Sequence, residues 1–124
     1  MNLSGQVLVV EDEPAVRSLF CRVLEGLGCG VLHASDGPGA LRAFRAAGPG
    51  VVVLDLHLPG LDGLSVAGEM LRLRPRTRII VVTGDPDGEL ARRAMESGAS
   101  DYLGKPVDLA RLRESVAVNL LIAG

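Results

Sequence analysis

The sequence predicts an α/β protein, a parallel sheet with helices packed on both of its faces. Three observations predict it. Short apolar runs alternate with longer stretches whose apolar residues recur at helical spacing. The short runs are continuously apolar rather than alternating, as in strands buried on both sides. The helical stretches that precede another strand are closed by Gly or Pro.

Val7–Val10 reads as the first strand. Pro14–Leu27 carries Val16, Leu19, Phe20, Val23, Leu24 and Leu27 at helical spacing and stops at Gly28. Val31–Ala34 is the second strand. Gly39–Ala47 is a helix broken by Gly48-Pro49-Gly50. Val51–Leu54 is the third strand, and Gly63–Arg74 a helix closed before Pro75. Arg78–Thr83 is the fourth strand, and Asp87–Ser97 a helix ended by Gly98. Ser100–Leu103 is a short fifth strand. Asp108 has the character of a cap for a last helix running to about Leu121. The tail Val118–Gly124 is expected to fray. No internal repeat, linker or low-complexity segment interrupts the pattern, so residues 1–124 are expected to form a single domain.

Composition narrows the function. At 124 residues and 48% hydrophobic, the chain can build one core without metal or disulfide staples. With no Trp, one Tyr and two Phe, that core must be Val, Leu, Ile and Ala. A net charge of −2 argues against a nucleic-acid surface, and the arginines of Arg72–Arg78 read as a solvated helix end. Cys21 and Cys29 have neither CxxC nor metal-ligand spacing and read as small buried hydrophobes. The start lacks a basic region followed by a long apolar segment, and no apolar run approaches membrane-spanning length. A cytoplasmic protein is expected.

In open parallel sheets, ligands bind beyond the carboxyl ends of the strands. Glu11-Asp12 follow strand one, Asp55 ends strand three, Thr83 ends strand four, and Lys105-Pro106 follow strand five. Singly, each has an ordinary structural explanation. Asp12 could cap a helix that starts at Pro14, and Asp55 could cap a turn before Pro59-Gly60. Thr83 is common at a strand end, and Lys105 could be a solvated charge. Together they bring three carboxylates, a hydroxyl and an ammonium to one edge of the sheet. Three like charges there repel unless a cation relieves them. Oxygen-only donors with few protein contacts suit Mg²⁺, which also accepts phosphate oxygens as ligands. Lys105 is the only lysine among 13 basic residues, and a compact ammonium suits a tight phosphate site better than a guanidinium fork. Carboxylate, Mg²⁺ and lysine are what phosphoryl transfer to an oxygen requires.

The segments VLVVEDEP, VVVLDLHLPGLDG, IIVVTG and ASDYLGKP resemble, in that order, the four motifs of bacterial response-regulator receiver domains. The resemblance runs from about Val7 to Leu121. It implies a doubly wound, flavodoxin-like fold with five helices and five parallel strands in the order 2-1-3-4-5. It implies that Asp55 is the phosphoacceptor. Glu11 and Asp12 match the acidic pair that holds Mg²⁺, and His57 the position whose main-chain carbonyl completes the metal shell. Thr83 matches the hydroxyl that bonds the phosphoryl group, and Tyr102 the aromatic switch that swings inward when that hydroxyl moves. Lys105 matches the phosphoryl-binding lysine, and Pro106 the following proline, usually cis. Glu11 departs from the pattern, since Asp is more common there.

The implied function is signalling rather than turnover of a substrate. A sensor histidine kinase or phosphotransfer protein would phosphorylate Asp55, and the surface of helix four, strand five and helix five would change shape for a downstream effector, an output domain or a second copy of the chain. No direct nucleic-acid or membrane contact is expected. The main alternative is a receiver-like interaction module that works without phosphorylation. A flavin binder of the same topology would need a Ser/Thr/Gly-rich loop where Glu11-Asp12-Glu13-Pro14 stands. A haloacid-dehalogenase-type phosphatase would need a second Asp where His57 stands. Gly98…Gly104-Lys105 fails the P-loop spacing and is followed by Pro106.

Overall fold

The computed structural model describes residues 3–124; Met1 and Asn2, part of the expected domain, lie outside the described residues. The chain alternates strand and helix: β1 Gln6–Val10, α1 Pro14–Glu25, β2 Gly30–Ala34, α2 Gly37–Ala47, β3 Val51–Asp55, α3 Gly63–Leu73, β4 Arg78–Thr83, α4 Glu89–Glu96, β5 Asp101–Gly104 and α5 Leu109–Ala123. All neighbouring strands are parallel, in the order β2-β1-β3-β4-β5. This is the order that the resemblance implied.

Strand periodicity explains why the apolar runs are continuous. Successive side chains point to opposite faces, and here both faces are covered. Val7, Val9, Val51, Val53, Ile80 and Val82 pack with α1 and α5 through Phe20, Leu24, Leu112 and Val116. Leu8, Val10, Val52, Leu54, Ile79 and Val81 face the other core, built with Phe44, Val66, Met70 and Ala94 of α2, α3 and α4. Cys21 and Cys29 are buried free thiols, as small hydrophobes would be. Among the described residues, no helix is long and apolar enough to cross a membrane.

Several boundaries move for local reasons. Helix α1 ends at Glu25, with Gly26 as its C-cap. Asp36 accepts a hydrogen bond from Gly39 N at 2.7 Å and so starts α2 at Gly37 rather than Gly39. Gly88 is the N-cap of α4, which leaves Asp87 in the preceding loop. Strand β5 lies one residue later than expected, with Gly104 paired to Thr83. Asp108 caps α5 as expected, but α5 stays helical through Ala123 instead of fraying. The arginine segment is more than a solvated helix end. Arg74 lies 5.0 Å from the Phe44 ring centroid and donates to the Phe44 carbonyl, and Arg78 Nε donates to Asn119.

Candidate functional site

Strands β1 and β3 are neighbours, with Val10 paired to Leu54. The residues that end or follow them therefore emerge side by side. One carboxylate oxygen each of Glu11, Asp12 and Asp55 lies within 4.8 Å of the others. Glu11 and Asp55 are almost sealed, at 3% and 2% exposure, while Asp12 faces solvent.

Asp55 is fixed from two sides. Its Oδ1 accepts from His57 N at 2.8 Å, and its Oδ2 accepts from Lys105 Nζ at 2.8 Å. Gly63 N donates to the Leu56 carbonyl, and a Cβ on Gly63 would stand 2.5 Å from Leu56 Cα and 2.8 Å from the Asp55 carbonyl oxygen. Only glycine lets α3 start so close beneath the end of β3. Glu11 is held by Glu13 N, which donates to Oε2 at 3.0 Å. Arg17 reaches back from α1 to donate to the Glu11 and Asp12 carbonyls at 2.9 and 3.5 Å.

Burial pushes the Glu11 carboxyl above its ordinary range; Asp12 and Asp55 push the same way, against the Glu13 amide and Lys105. For Lys105, burial favours the neutral amine, but its bond to Asp55 and the charges of Glu11 and Asp12 outweigh this and raise it. Three acids at one rim, answered by one bonded ammonium, make an electronegative notch of oxygen donors. Hard divalent cations such as Mg²⁺ prefer that donor set.

Thr83 ends β4, the neighbour of β3, and Tyr102 lies on the edge strand β5. Thr83 is fully buried, and its Oγ1 accepts from Asp85 N at 3.2 Å. Tyr102 is 39% exposed and borders a surface hollow with Pro86, Gly104, Asp108 and Arg111. The His57 side chain is exposed. The Lys105–Pro106 peptide is cis, as the resemblance implied. Against the carboxylates opens a cavity of about 550 Å³, lined by Glu11, Asp12 and Lys105 and by apolar Val16, Phe20 and Val107. Sequence reasoning assigned no role to Gly63 or Arg17. Gly63 carried a signal, as the glycine that ends a Pro-x-x-Asp-Gly run. Arg17 carried none, because its reach depends on how α1 is set against the β1 end.

The comparisons agree with this geometry. The family model "Response regulator receiver domain" matches residues 7–117. The transcriptional regulatory protein KdpE of Mycobacterium tuberculosis is 40% identical over 121 residues, 94% of this chain and 53% of that protein. The DNA-binding transcriptional regulator NtrC of Escherichia coli is 33% identical over 105 residues, 85% of this chain and 22% of that protein. The chain thus spans from about a fifth to about half the length of these curated relatives. Among solved structures, a CheY-like response regulator receiver domain protein from Methanospirillum hungatei superposes with a TM-score of 0.90 at 26% identity, covering 96% of this chain and 95% of that one. NtrX from Brucella abortus gives a TM-score of 0.90 at 31% identity, over 98% of this chain and 28% of that one. The motif order, the strand order, the acidic notch and the family match converge: the chain belongs to the response-regulator receiver domains of two-component signalling.

Proposed function

We propose that this receiver accepts a phosphoryl group on Asp55 from a phosphohistidine, carried by a sensor histidine kinase or a phosphotransfer protein. The observation that carries the reading is the Asp55 carboxylate itself: nearly sealed, held by His57 N and Lys105 Nζ, and crowded by Glu11 and Asp12. Glu11, Asp12, Asp55 and the main-chain carbonyl of His57 would hold Mg²⁺. When bound, Mg²⁺ supplies positive charge that offsets the phosphoryl oxygens.

The protein's own part is positioning. The His57 amide and Lys105 fix the plane of the Asp55 carboxylate. One of its oxygens forms the new bond to phosphorus while the phosphorus–nitrogen bond of the phosphohistidine breaks and the imidazole leaves. Lys105, released from its bond to the free carboxylate, holds a phosphoryl oxygen. Thr83 turns its hydroxyl to another, and Tyr102 moves into the space vacated. The phosphorylated state then favours a second packing of α4, β5 and α5. The chain acts on itself and turns over no separate substrate.

Two surfaces serve partners in this reading. The cavity beside the carboxylates has an apolar wall of Val16, Leu19, Phe20, Pro106, Val107 and Leu109. That wall is a seat for the donor protein as it presents its phosphohistidine. The face of α4, β5 and α5 serves an output domain, an effector or a second copy. The relatives are longer proteins named as transcriptional regulators, so any DNA contact belongs to a part other than this domain. The buried free thiols Cys21 and Cys29 suit a reducing cytoplasm.

The test is incubation with Mg²⁺ and acetyl phosphate, followed by intact mass. One added phosphoryl group is expected in the native protein, and none in Asp55→Asn. No addition to the native protein would leave a phosphorylation-independent interaction module. Addition to Asp55→Asn would move the acceptor elsewhere.

A further inference from the structure

The loop between β4 and α4, residues 84–88, rests on the sheet through a contact between two residues that take no part in the proposed chemistry. The ring of Pro86 lies over the α-carbon of Gly104. A Cβ on Gly104 would stand 2.9 Å from Pro86 Cγ, 3.3 Å from its Cβ and 3.5 Å from its Cδ. Gly104 is not among the glycines with positive φ. Backbone conformation therefore does not demand glycine there; the closeness of the ring does.

The contact sits between two residues of the site. Gly104 pairs with Thr83 across β4 and β5, and Lys105 follows at once, its N–H donating to the Thr83 carbonyl at 2.8 Å. On the loop side, the residue before Pro86 is Asp85, whose N–H donates to the Thr83 hydroxyl. Seating the ring on Gly104 thus places the amide that holds the hydroxyl. Beyond the ring, Gly88 N donates to the Asp85 carbonyl at 3.1 Å and α4 begins. That helix has no side-chain cap, and its buried residues are Ala91 and Ala94.

We propose that the Pro86–Gly104 contact is a latch: it seats the β4–α4 loop, keeps the Thr83 hydroxyl on the Asp85 amide, and so holds the resting arrangement of the receiver. Pro86 and Gly104 are positioning residues that act through Thr83. The inference rests on the reading of Thr83 as the hydroxyl that bonds the phosphoryl group. A side chain at position 104 and the seated ring cannot share the space, because the close neighbour is a rigid ring rather than the end of a flexible chain. Gly104→Ala therefore lifts the loop, takes the Asp85 amide from the Thr83 hydroxyl, and moves the resting population toward the switched packing.

Two spectroscopic signals read this directly. Tyr102 is the only tyrosine in a chain without tryptophan, so intrinsic emission reports that ring alone. The Asp85 amide resonance reports its bond to Thr83. Without any phosphodonor, Gly104→Ala is expected to shift both toward the values the native protein takes with Mg²⁺ and beryllofluoride. Phosphorylation by acetyl phosphate should quicken about fivefold, the effect of a small bias in a two-state equilibrium. Pro86→Ala removes Cγ, the closest atom, and loosens the latch in the same direction. In the double variant the loop can sit down again, so its signals return toward the native values, a coupling of opposite sign to either single change.

Native-like resting signals in Gly104→Ala, or simple additivity in the double variant, would overturn the latch. If Gly104→Ala does not fold by circular dichroism, native-like Tyr102 emission in Pro86→Ala overturns it, and emission shifted toward the beryllofluoride value supports it. The two readings fail differently. If Asp55 takes no phosphoryl group, the native protein ignores the phosphodonor, while the variants still move the Asp85 resonance at rest. If only the latch is wrong, the native protein responds and the variants do not move at rest.

Discussion

Asp12 is the member of the acidic cluster that solvent reaches, while Glu11 and Asp55 are nearly sealed beneath it. At a separation of about 5 Å and an effective dielectric near 20, two carboxylates repel by about 3 kcal/mol. Solvent screening at an exposed position reduces that to about 1 kcal/mol. Asp12→Asn should therefore stabilise the metal-free protein by about 1 kcal/mol in urea unfolding, the reverse of the usual effect of losing a charged side chain. In the proposed Mg²⁺ site the same change removes a donor. Ligand that binds only the folded state stabilises it in proportion to its affinity, so Mg²⁺ should raise the midpoint of the native protein and do much less for Asp12→Asn. Equal stabilisation of both by Mg²⁺ would show that Asp12 holds no metal. The crowding itself was legible in the sequence. That Lys105 bonds Asp55 directly was not, because it needed the 2.8 Å contact between the ends of strands β3 and β5.

At the scale of an element, α3 shows how a cap and a glycine work together. Asp62 Oδ1 accepts from Ser65 N at 2.8 Å, and Oδ2 accepts from the Ser65 hydroxyl at 3.1 Å. The Ser65 amide and hydroxyl hold the Asp62 carboxyl below its ordinary range. A depressed carboxyl stabilises the fold above its unfolded value, and that contribution disappears as pH falls through the folded one. Asp62→Ala should then cost about 1 kcal/mol at neutral pH, the usual effect of losing an N-cap. Below the normal carboxylate range its unfolding curve should draw toward that of the native protein. A gap that stays constant into strong acid would mean that the charge of Asp62 contributes nothing. Caps were unevenly legible. Asp108 stood out ahead of an apolar run, whereas Asp36 was hidden because Gly37-Pro38-Gly39 looks like a turn. Gly104 fell just beyond the expected strand Ser100–Leu103, and its packing role beneath Pro86 depends on a loop path that no local pattern encodes.

For the whole molecule, the same alternation that made the fold legible also sets where it opens. The five apolar runs announced a sheet covered on both faces, and the residues after them marked one edge as the site. Neither observation ranks the helices by how firmly they are held, since that depends on what each buries. Helix α5 buries Leu112, Val116 and Leu120 and ties Asn119 to Arg78. Helix α4 has only eight residues, with Ala91 and Ala94 as its buried ones. Two methyl-sized side chains remove little apolar surface from water, at ~0.8 kcal/mol per buried CH₂-sized group. Segments with few buried apolar contacts open locally, well below the free energy of global unfolding. In native-state hydrogen exchange, amides of β1, β3 and β4 should exchange only through global unfolding, with a steep dependence on urea. Those of α4 should exchange through an opening that costs ~2–4 kcal/mol less and hardly responds to urea. Gly104→Ala should lower protection in α4 further and leave β3 near the global limit. If α4 instead exchanges together with the central strands, it is not a separable element, and a switch that moves it would have to carry the whole core along.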